Sequence, residues 1–251
     1  MRIPTFKFHG SKCRIAKWLF ERVNFPIHNY YEPFAGRGNA FFYFASKFKY
    51  NQAYLNDLYL SHFLVALRDY DGNYNFVPDY IDTKVYNRLN QLPCDFERSL
   101  AESFCAYNGT FWGCGINVTN SPYHKSANKH NKKSTIMRMK NAKQLLHNVQ
   151  ITNWDFAEFL HSFTFNVNDL IYCDPPYMNM THKSLVGPDI NHNKLVKILK
   201  TLPCKVVLSG YDNDIYNRKL LWNTRQYVRA SCGRNSGGGT FKATEKVWEN
   251  F

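Results

Sequence analysis

The tetrapeptide Asp174, Pro175, Pro176, Tyr177 follows the apolar run LIYC and is well suited to chemistry. A residue before proline is driven towards extended backbone, and proline has no N–H, so the stretch predicts a rigid turn that offers only acceptors. The Asp174 carboxylate and the Pro175 carbonyl would both accept hydrogen bonds from one NH₂ group. The Tyr177 ring would provide a face on which a planar base stacks, worth ~1–3 kcal/mol.

Such a turn suits the exocyclic amine of adenine, which is a poor nucleophile because its lone pair is delocalised into the purine ring. Two acceptors that hold its hydrogens out of the ring plane would localise that pair for attack on an electrophilic carbon. Strand alternation would point the Cys173 thiol away from Asp174. We therefore expect direct methyl transfer, without a metal ion or a covalent enzyme intermediate.

The segment EPFAGRGNAFF indicates where the methyl donor would bind. A strand followed by Gly36 and Gly38 permits a tight turn and close approach of a ligand. Phe41 stands where the dinucleotide fingerprint needs a third small residue, which disfavours a nicotinamide cofactor. Asp57, about twenty residues on, is suitably placed for a ribose. Together the two motifs predict a nucleoside cofactor without a pyrophosphate, such as S-adenosylmethionine. Taken alone, the glycine motif is equally typical of a tight turn, and Asp57 of a capping aspartate.

The elements around these motifs have the pattern of an open α/β sheet. Short apolar runs end at polar or acidic residues in NYYEP, AYLNDL, QITNWD, DLIYCD and KVVLSGYD. Such sheets bind ligands at the carboxyl ends of their strands. Residues 61 to 105 are mixed in character and predict mainly helices.

The charge distribution favours a nucleic-acid partner. Lys and Arg number 32 against 19 Asp and Glu, a net charge of +13, and aromatic residues make up 17% of the chain. Between Glu102 and Asp155 there is no acidic residue, and the turn-rich aromatic stretch YNGTFWGCGIN lies there beside the basic ones. These features are typical of phosphate binding and base stacking. A solvated loop with an exposed basic helix is the alternative. The basic residues of this interval are Lys125, Lys129, Lys132, Lys133, Arg138, Lys140 and Lys143.

The seven cysteines form no CxxC pair and no regular metal-ligand spacing, so neither a disulfide framework nor a zinc site is expected. The opening MRIPTFKFHGSK has no apolar core of a signal peptide, and no later segment approaches the ~20 apolar residues of a membrane span. These features predict a reduced, soluble, cytoplasmic protein.

Six motifs in order resemble those of the Dam-type (D12 class) adenine-N6 DNA methyltransferases, over nearly the whole chain. They are KFHGSK (7–12), EPFAGRG (32–38), NDL (56–58), DPPY (174–177), LSGYD (208–212) and GGGTFKATEKVWEN (237–250). The resemblance implies an α/β, Rossmann-like S-adenosylmethionine-dependent methyltransferase sheet, formed by residues 1–60 and 146–251. It also implies an inserted, mainly helical target-recognition domain, residues 61–145, that carries a β-hairpin.

The same resemblance assigns cofactor contacts. Phe8 would pack on the cofactor adenine, Asp57 would bind its ribose, and Asp174 would touch both cofactor and target. A core position for Phe8 and a solvated Lys12 are the alternatives. The cofactor-binding residues implied in this way are Phe8, Lys12, Glu32, Phe34, Gly36, Gly38, Asp57, Asp155 and Asp174.

Duplex DNA is the expected partner of a monomer or weak dimer. The target adenine would have to be flipped out of the stack at a cost of a few kcal/mol, which basic segments would offset by binding phosphates. The glycine-rich segment 232–242 is a candidate for this, although it could equally be a surface loop. The DNA-binding residues that we predict are Lys7, Tyr107, Asn108, Trp112, Asn117, Lys125, Lys129, Arg138, Arg234 and Lys242.

One position departs from the family. Trp112 stands where GATC-specific members have an arginine, and the hairpin that starts at Tyr107 is about two residues shorter. Arginine reads guanine bidentately, with a discrimination of ~1–3 kcal/mol, and tryptophan cannot do so. We therefore expect adenine methylation with relaxed or altered specificity relative to GATC. An RNA or single-stranded substrate, and a catalytically silent DNA-binding protein of the same fold, are the alternatives.

Overall fold

The computed structural model describes residues 2–6, 10–105, 131–178, 190–234 and 240–251, with the backbone alone for 229–234 and 240–243. The strands are β1 (Asn29–Glu32), β2 (Gln52–Asn56), β3 (Gln150–Thr152), β4 (Leu170–Cys173), β5 (Lys205–Tyr211), β6 (Asn223–Arg234) and β7 (Thr240–Glu249). The helices are α1 (Ala16–Leu19), α2 (Asn39–Ala45), α3 (Ser61–Asp69), α4 (Thr83–Asn90), α5 (Asp95–Cys105), α6 (Lys132–Leu146), α7 (Phe156–His161), α8 (His192–Thr201) and α9 (Asp214–Lys219).

The strands form one sheet in the order β3-β2-β1-β4-β5-β7-β6. Strands β1 to β5 are parallel, and β7 runs antiparallel between β5 and β6. The five apolar runs predicted as strands correspond to β1 to β5. The predicted α/β, Rossmann-like fold is therefore confirmed.

Side-chain alternation along the strands divides the core into two layers. Tyr30 of β1 and Tyr172 of β4 pack on one face of the sheet, with buried residues of α1 to α6. Their neighbours Tyr31, Ile171 and Cys173 pack on the other face, with α7, α8 and α9. The Cys173 thiol is therefore in the core, as the alternation predicted, and burial raises its pKa well above the ordinary value.

The interval between β2 and β3 is helical where it is described, as expected of the inserted segment. Its buried side chains, such as Phe63, Leu100 and Met139, belong to the same cluster as Tyr30 of β1. The helices thus pack directly on the sheet, and the assignment of 61–145 as a separate recognition domain stays a prediction. The expected recognition hairpin lies outside the described residues.

The amino-terminal residues are fixed to the rest of the fold at two places. The Phe6 N–H donates a hydrogen bond to Asn39 Oδ1 of α2 at 2.8 Å, and Asn39 Nδ2 donates one to the Phe6 carbonyl at 2.9 Å. Arg225 of β6 bonds to both carboxylate oxygens of Glu249 and to the carbonyls of Trp18 and Leu19. These contacts hold the loop that contains Lys12. Among the described residues, no helix is long and apolar enough to cross a membrane.

Candidate active site

The carboxyl ends of β1 and β4 meet where the strand order reverses. From β1 the sheet continues to β2 and β3 on one side, whereas β4 and β5 lie on the other. In open α/β sheets, the crevice at such a switch point binds ligands. Glu32 is the last residue of β1, and Asp174 directly follows β4. The fold therefore brings a predicted cofactor residue and the predicted catalytic aspartate to neighbouring strand ends.

The loop after β1 requires its glycines. Gly36 and Gly38 have φ angles of 55° and 73°, in the left-handed region that favours glycine. The Gly36 N–H donates a hydrogen bond to Asp57 Oδ2 at 2.8 Å. A Cβ atom on Gly38 would lie 2.9 Å from Leu64 Cδ2 of α3. Gly38 is thus needed for helix packing as well as for the turn that a cofactor would approach.

Asp57 caps the turn that leads into α3. Its Oδ1 accepts hydrogen bonds from the N–H groups of Tyr59 and Leu60, at 3.0 and 2.8 Å, and Oδ2 accepts that of Gly36. Burial raises the pKa of this carboxyl, and the three amide donors oppose the rise. Asp57 therefore has the capping role that the sequence left open, while Oδ2 keeps acceptor capacity for a further donor. Its bond to a ribose stays a prediction.

Asn56 joins three strand ends, a role that the sequence motifs did not reveal. Its Nδ2 donates to the carbonyls of Pro33 and Trp154, each at 3.0 Å. Its Oδ1 accepts from Thr152 Oγ1 at 2.7 Å and from the Trp154 N–H at 2.8 Å. The buried amide thus fixes the loops after β1 and β3 relative to β2.

The Glu32 carboxylate is buried, with 2% of the residue exposed, and accepts a hydrogen bond from the Tyr30 hydroxyl at 2.8 Å. Burial raises the pKa of Glu32 well above its ordinary value, and the nearby charges of Asp174 and Asp57 add to the rise. Several carboxylates therefore converge at this end of the sheet. A positive charge offsets their mutual repulsion, and the Lys12 ammonium supplies one, which together with the Tyr30 hydrogen bond opposes the rise in the pKa of Glu32.

Phe34 and Asp155 lie at the same edge. Phe34 packs on Phe156 of α7, with ring centroids 5.5 Å apart. Asp155 caps α7 through the Ala157 N–H at 2.9 Å and lies 3.8 Å from Lys194 Nζ. The Asp155 carboxylate is half-exposed, so it has a capping role and remains accessible to a ligand. Cofactor contacts by either residue stay predictions.

The Asp174 carboxylate is held by three side chains. Its Oδ2 lies 2.7 Å from Lys12 Nζ, and its Oδ1 accepts a hydrogen bond from Ser209 Oγ at 2.8 Å. The Tyr177 hydroxyl lies 3.1 Å from the same Oδ1. Pro175 is buried and Pro176 is half-buried between these residues in the turn. The predicted acceptor turn is thus anchored from β5 and from the amino-terminal loop.

The Tyr177 hydroxyl donates to Glu245 Oε2 of β7 at 2.7 Å. Burial raises the pKa of Tyr177 well above its ordinary value, helped by the charges of Asp174 and Glu245, so the hydroxyl stays protonated and can donate. Its ring packs edge-on against Tyr211, and the Lys12 ammonium lies 4.8 Å from the ring centroid. The ring is therefore less open than the sequence suggested, and its stacking on a base stays a prediction.

Lys12 is 4% exposed and is not the solvated side chain of the alternative interpretation. Its ammonium donates to the Gly10 carbonyl at 2.8 Å as well as contacting Asp174. A contact of Lys12 with the cofactor stays a prediction. Phe8 and Lys7, which precede this loop, lie outside the described residues. No group of three or more potential metal-ligating side chains occurs in the part of the chain that the structure describes.

The predicted DNA-binding residues are only partly described. Arg138 bonds to the Thr5 carbonyl at 3.2 Å and to Thr135 Oγ1 at 2.9 Å, so its guanidinium docks the amino-terminal residues onto α6. Strand β5 ends at Tyr211, which pairs with Glu245 of β7. Strands β6 and β7 continue to pair beyond this point, as far as Arg234 and Thr240. The backbone of Lys242 belongs to this projecting part. The residues outside the description are Tyr107, Asn108, Trp112, Asn117, Lys125 and Lys129.

Comparisons with solved structures give low similarity. An S-adenosylmethionine-dependent methyltransferase from Agrobacterium tumefaciens is 8% identical, with a TM-score of 0.46, and the match covers 98% of this chain and 64% of that one. Precorrin 8w decarboxylase from Methanobacterium thermoautotrophicum is 9% identical, with a TM-score of 0.41, covering 95% and 88%. A comparison with curated proteins found no match.

The comparison with protein families is more specific. Residues 83–226, more than half of the 251 in the chain, match the family described as D12 class N6 adenine-specific DNA methyltransferase. This range begins at α4 and contains the acceptor turn, whereas the glycine loop precedes it. The chain belongs to the D12 class N6 adenine-specific DNA methyltransferases.

Proposed function

We propose that this methyltransferase modifies the N6 atom of an adenine flipped out of duplex DNA, with a specificity that is relaxed or different from GATC. Family membership makes it an adenine-specific DNA methyltransferase that uses S-adenosylmethionine. The observation that carries the proposal is the anchored carboxylate of Asp174 at the switch point of the sheet. A base still stacked in the duplex could not reach this turn, and flipping it costs a few kcal/mol.

The acceptor capacity of Asp174 supports this chemistry. A carboxylate accepts about four hydrogen bonds, and the described residues supply contacts from Lys12, Ser209 and Tyr177. Acceptor capacity therefore remains for an N–H of the target amine, with the Pro175 carbonyl as the second acceptor. Anchoring from three directions positions the Asp174 carboxylate, and these side-chain partners can exchange a hydrogen bond with the incoming amine.

The residues at the switch point fit S-adenosylmethionine. Gly36 and Gly38, which have left-handed backbone and no Cβ, would let a ligand approach the loop closely, and the carboxyl groups of Glu32, Asp57 and Asp174 lie near one another at this end of the sheet. The bound cofactor would supply an electrophilic methyl group on a positively charged sulfur. Gly36 and Gly38 would line its methionine end, and Asp57, already fixed by amides, would hold the ribose.

A methyl-transfer assay tests the substrate class. Labelled S-adenosylmethionine is incubated with an adenine-containing duplex, its single strand, an RNA of the same sequence, and a duplex with 2-aminopurine in place of adenine. We expect label in the adenine duplex and none in the 2-aminopurine duplex, which lacks the 6-amino group. Faster labelling of the RNA, or equal labelling of the 2-aminopurine duplex, would overturn the proposal.

The part of the proposal that concerns sequence specificity rests on Trp112, which stands where GATC-specific members of the family have an arginine. Base-resolved methylation mapping of DNA from cells that express the protein should find methyladenine outside GATC, because a tryptophan cannot make the bidentate contact to guanine. Near-complete modification confined to GATC would contradict this part of the proposal and leave the methyl-transfer part intact.

A further inference from the structure

Arg37 and Glu102 form a buried ion pair that joins the glycine loop to α5. The Arg37 Nη2 and Glu102 Oε2 atoms are 2.6 Å apart, and the residues are 1% and 6% exposed. The guanidinium carbon also lies 5.1 Å from the ring centroid of Phe63 in α3. The contact thus connects a loop at the predicted cofactor site with two helices of the inserted segment.

A buried ion pair is a poor means of stabilising a fold. Desolvation of the two charges largely offsets their attraction, and apolar side chains of similar volume often stabilise a protein as well or better. The opposing effects are visible at Arg37, where burial lowers the pKa and the Glu102 charge raises it. Such pairs are better explained where they fix one arrangement of two elements.

The arrangement fixed here involves the cofactor loop. Arg37 stands between Gly36 and Gly38, and the Gly36 N–H is bonded to Asp57. The loop is therefore held by Asp57 through its backbone and by Glu102 through the Arg37 side chain. A shift of the loop towards a bound cofactor would be transmitted to Glu102, because both charges are buried and cannot separate without large cost.

Glu102 lies in the last turn of α5, which ends at Cys105. Leu100 and Ala101 beside it are fully buried, so this part of the helix is tightly packed. The segment predicted to recognise DNA, from Tyr107 onward, directly follows in the chain. A change in the position of Glu102 would therefore shift the end of α5, from which that predicted segment continues in the chain.

We propose that Arg37 and Glu102 are positioning residues that couple the two ligands, so that the cofactor and the target duplex each raise the affinity of the enzyme for the other. This inference rests on the proposed function, since it requires both ligands to bind. Coupling of this kind is reciprocal, and typical factors are about 5–150-fold. Replacement of the pair should lower the factor without abolishing either binding event.

The experiment measures the dissociation constant of S-adenosylhomocysteine, with and without a saturating adenine-containing duplex. For the unmodified chain we expect the duplex to tighten binding about tenfold or more. The double variant Arg37→Met/Glu102→Leu, which removes both charges of the pair together, should show about threefold or less. Glu102→Gln should behave similarly, and Arg37→Lys, which retains the charge with fewer donors, should be intermediate.

The matched control is Asp169→Asn. The Asp169 carboxylate is also buried, but it lies directly before β4, at the opposite end of that strand from the candidate active site, where it accepts hydrogen bonds from the Asn29 and Asn166 N–H groups. Its coupling factor should equal that of the unmodified chain. A purely structural role for Arg37 and Glu102 would weaken both ligands equally and leave the factor unchanged.

The outcomes separate this inference from the proposed function. If the unmodified chain binds neither S-adenosylhomocysteine nor the duplex, the proposed function itself fails. If it binds both but the duplex does not change the dissociation constant, or if the double variant keeps the full factor, only the coupling is overturned. Should the double variant not fold, a full coupling factor in Arg37→Lys and Glu102→Gln would overturn it equally.

Discussion

The two halves of the candidate active site, the predicted cofactor half and the predicted acceptor half, are held by different kinds of contact. In the cofactor half, Asp57 and Asn56 bond mainly to main-chain amides and carbonyls of the loops after β1, β2 and β3. In the acceptor half, Asp174 and Tyr177 bond to side chains. The side chains concerned are Lys12, Ser209 and Glu245.

This difference separates a preformed half from an adjustable one. Main-chain partners do not titrate and lie on neighbouring strand ends, so Asp57 and Asn56 should keep the same hydrogen bonds before and after the cofactor binds. Side-chain partners can rotate or exchange a hydrogen bond when a ligand arrives. The Lys12 ammonium contacts both the Asp174 carboxylate and a face of the Tyr177 ring. The acceptor half should therefore rearrange when the target amine enters.

The largest effect is expected for Asp174→Ala. It removes the carboxylate acceptor of the target amine, and we expect the transfer rate to fall by about 10³-fold or more. Duplex and S-adenosylhomocysteine affinities should change only a few-fold, as fluorescence anisotropy and calorimetry would show. Cys173→Ala is the control, since its buried thiol takes no part and transfer should stay within about twofold. Transfer above a few per cent in Asp174→Ala would contradict the acceptor assignment.

A smaller effect is expected for Asp57→Ala in the preformed half. The variant loses hydrogen bonds from three amides and the predicted ribose contact, so the dissociation constant for S-adenosylhomocysteine should rise about 10- to 100-fold. The transfer rate at saturating cofactor should change little. Asp57→Asn, which keeps an acceptor for the Tyr59 and Leu60 amides, is the matched variant and should retain more affinity. Unchanged cofactor binding in Asp57→Ala would show that the loop does not depend on this anchor.

Tyr177→Phe probes the adjustable half, and we expect it to lower kcat about tenfold. The variant keeps the ring but loses the hydroxyl that contacts Glu245 and Asp174, and a lost hydrogen bond of this kind contributes about 1–2 kcal/mol. We expect a lower kcat with KM for the duplex almost unchanged. Glu245→Gln, which can still accept from Tyr177, should have a weaker effect on kcat. A rise in KM alone would indicate that Tyr177 binds the base without orienting Asp174.

Glu32→Gln tests the convergence of carboxyl groups through the pH dependence of the free energy of unfolding, where the smallest effect is expected. Because the pKa of Glu32 is raised above its ordinary value of 4.5, the folded state binds the proton more tightly than the unfolded state. The stabilisation from this proton is complete below pH 4.5 and is lost as pH rises through the raised pKa. Between pH 4.5 and the raised pKa, the free energy of unfolding of the unmodified chain should therefore fall, relative to that of Glu32→Gln, by about 1.4 kcal/mol for each unit that the pH rises. Urea unfolding at several pH values measures this, and a pH-independent difference would contradict it.

The sequence was sufficient for the fold and for the strand ends. Apolar runs that end in Glu32, Asp57 and Asp174 identify parallel strands and their carboxyl edge, because both signals are local. The contacts of Asn56 and Arg37 were not foreseen, since each joins segments far apart in the chain and the motifs that contain these residues gave them no role. The contact of Arg138 with the amino-terminal residues was not foreseen either, and its predicted DNA contact stays a prediction.

Ser209 and Glu245 lie inside motifs that the resemblance identified, but the motifs alone gave them no role. Their partners, Asp174 and Tyr177, depend on the register of β5 and β7 beside β4. A register is a property of the assembled sheet, so it is not readable from periodicity.

The position of β7 has a consequence for how the enzyme matures in the cell. β6 joins the sheet only through β7, and Glu245 of β7 is the hydrogen-bond acceptor for Tyr177. The acceptor turn also needs Lys12, so its contacts span almost the whole chain. During synthesis, Asp174 leaves the ribosome long before the strand that completes its surroundings. Methyl transfer should therefore begin only after residues 240–249 have been added and inserted between β5 and β6, and a nascent chain should not modify DNA.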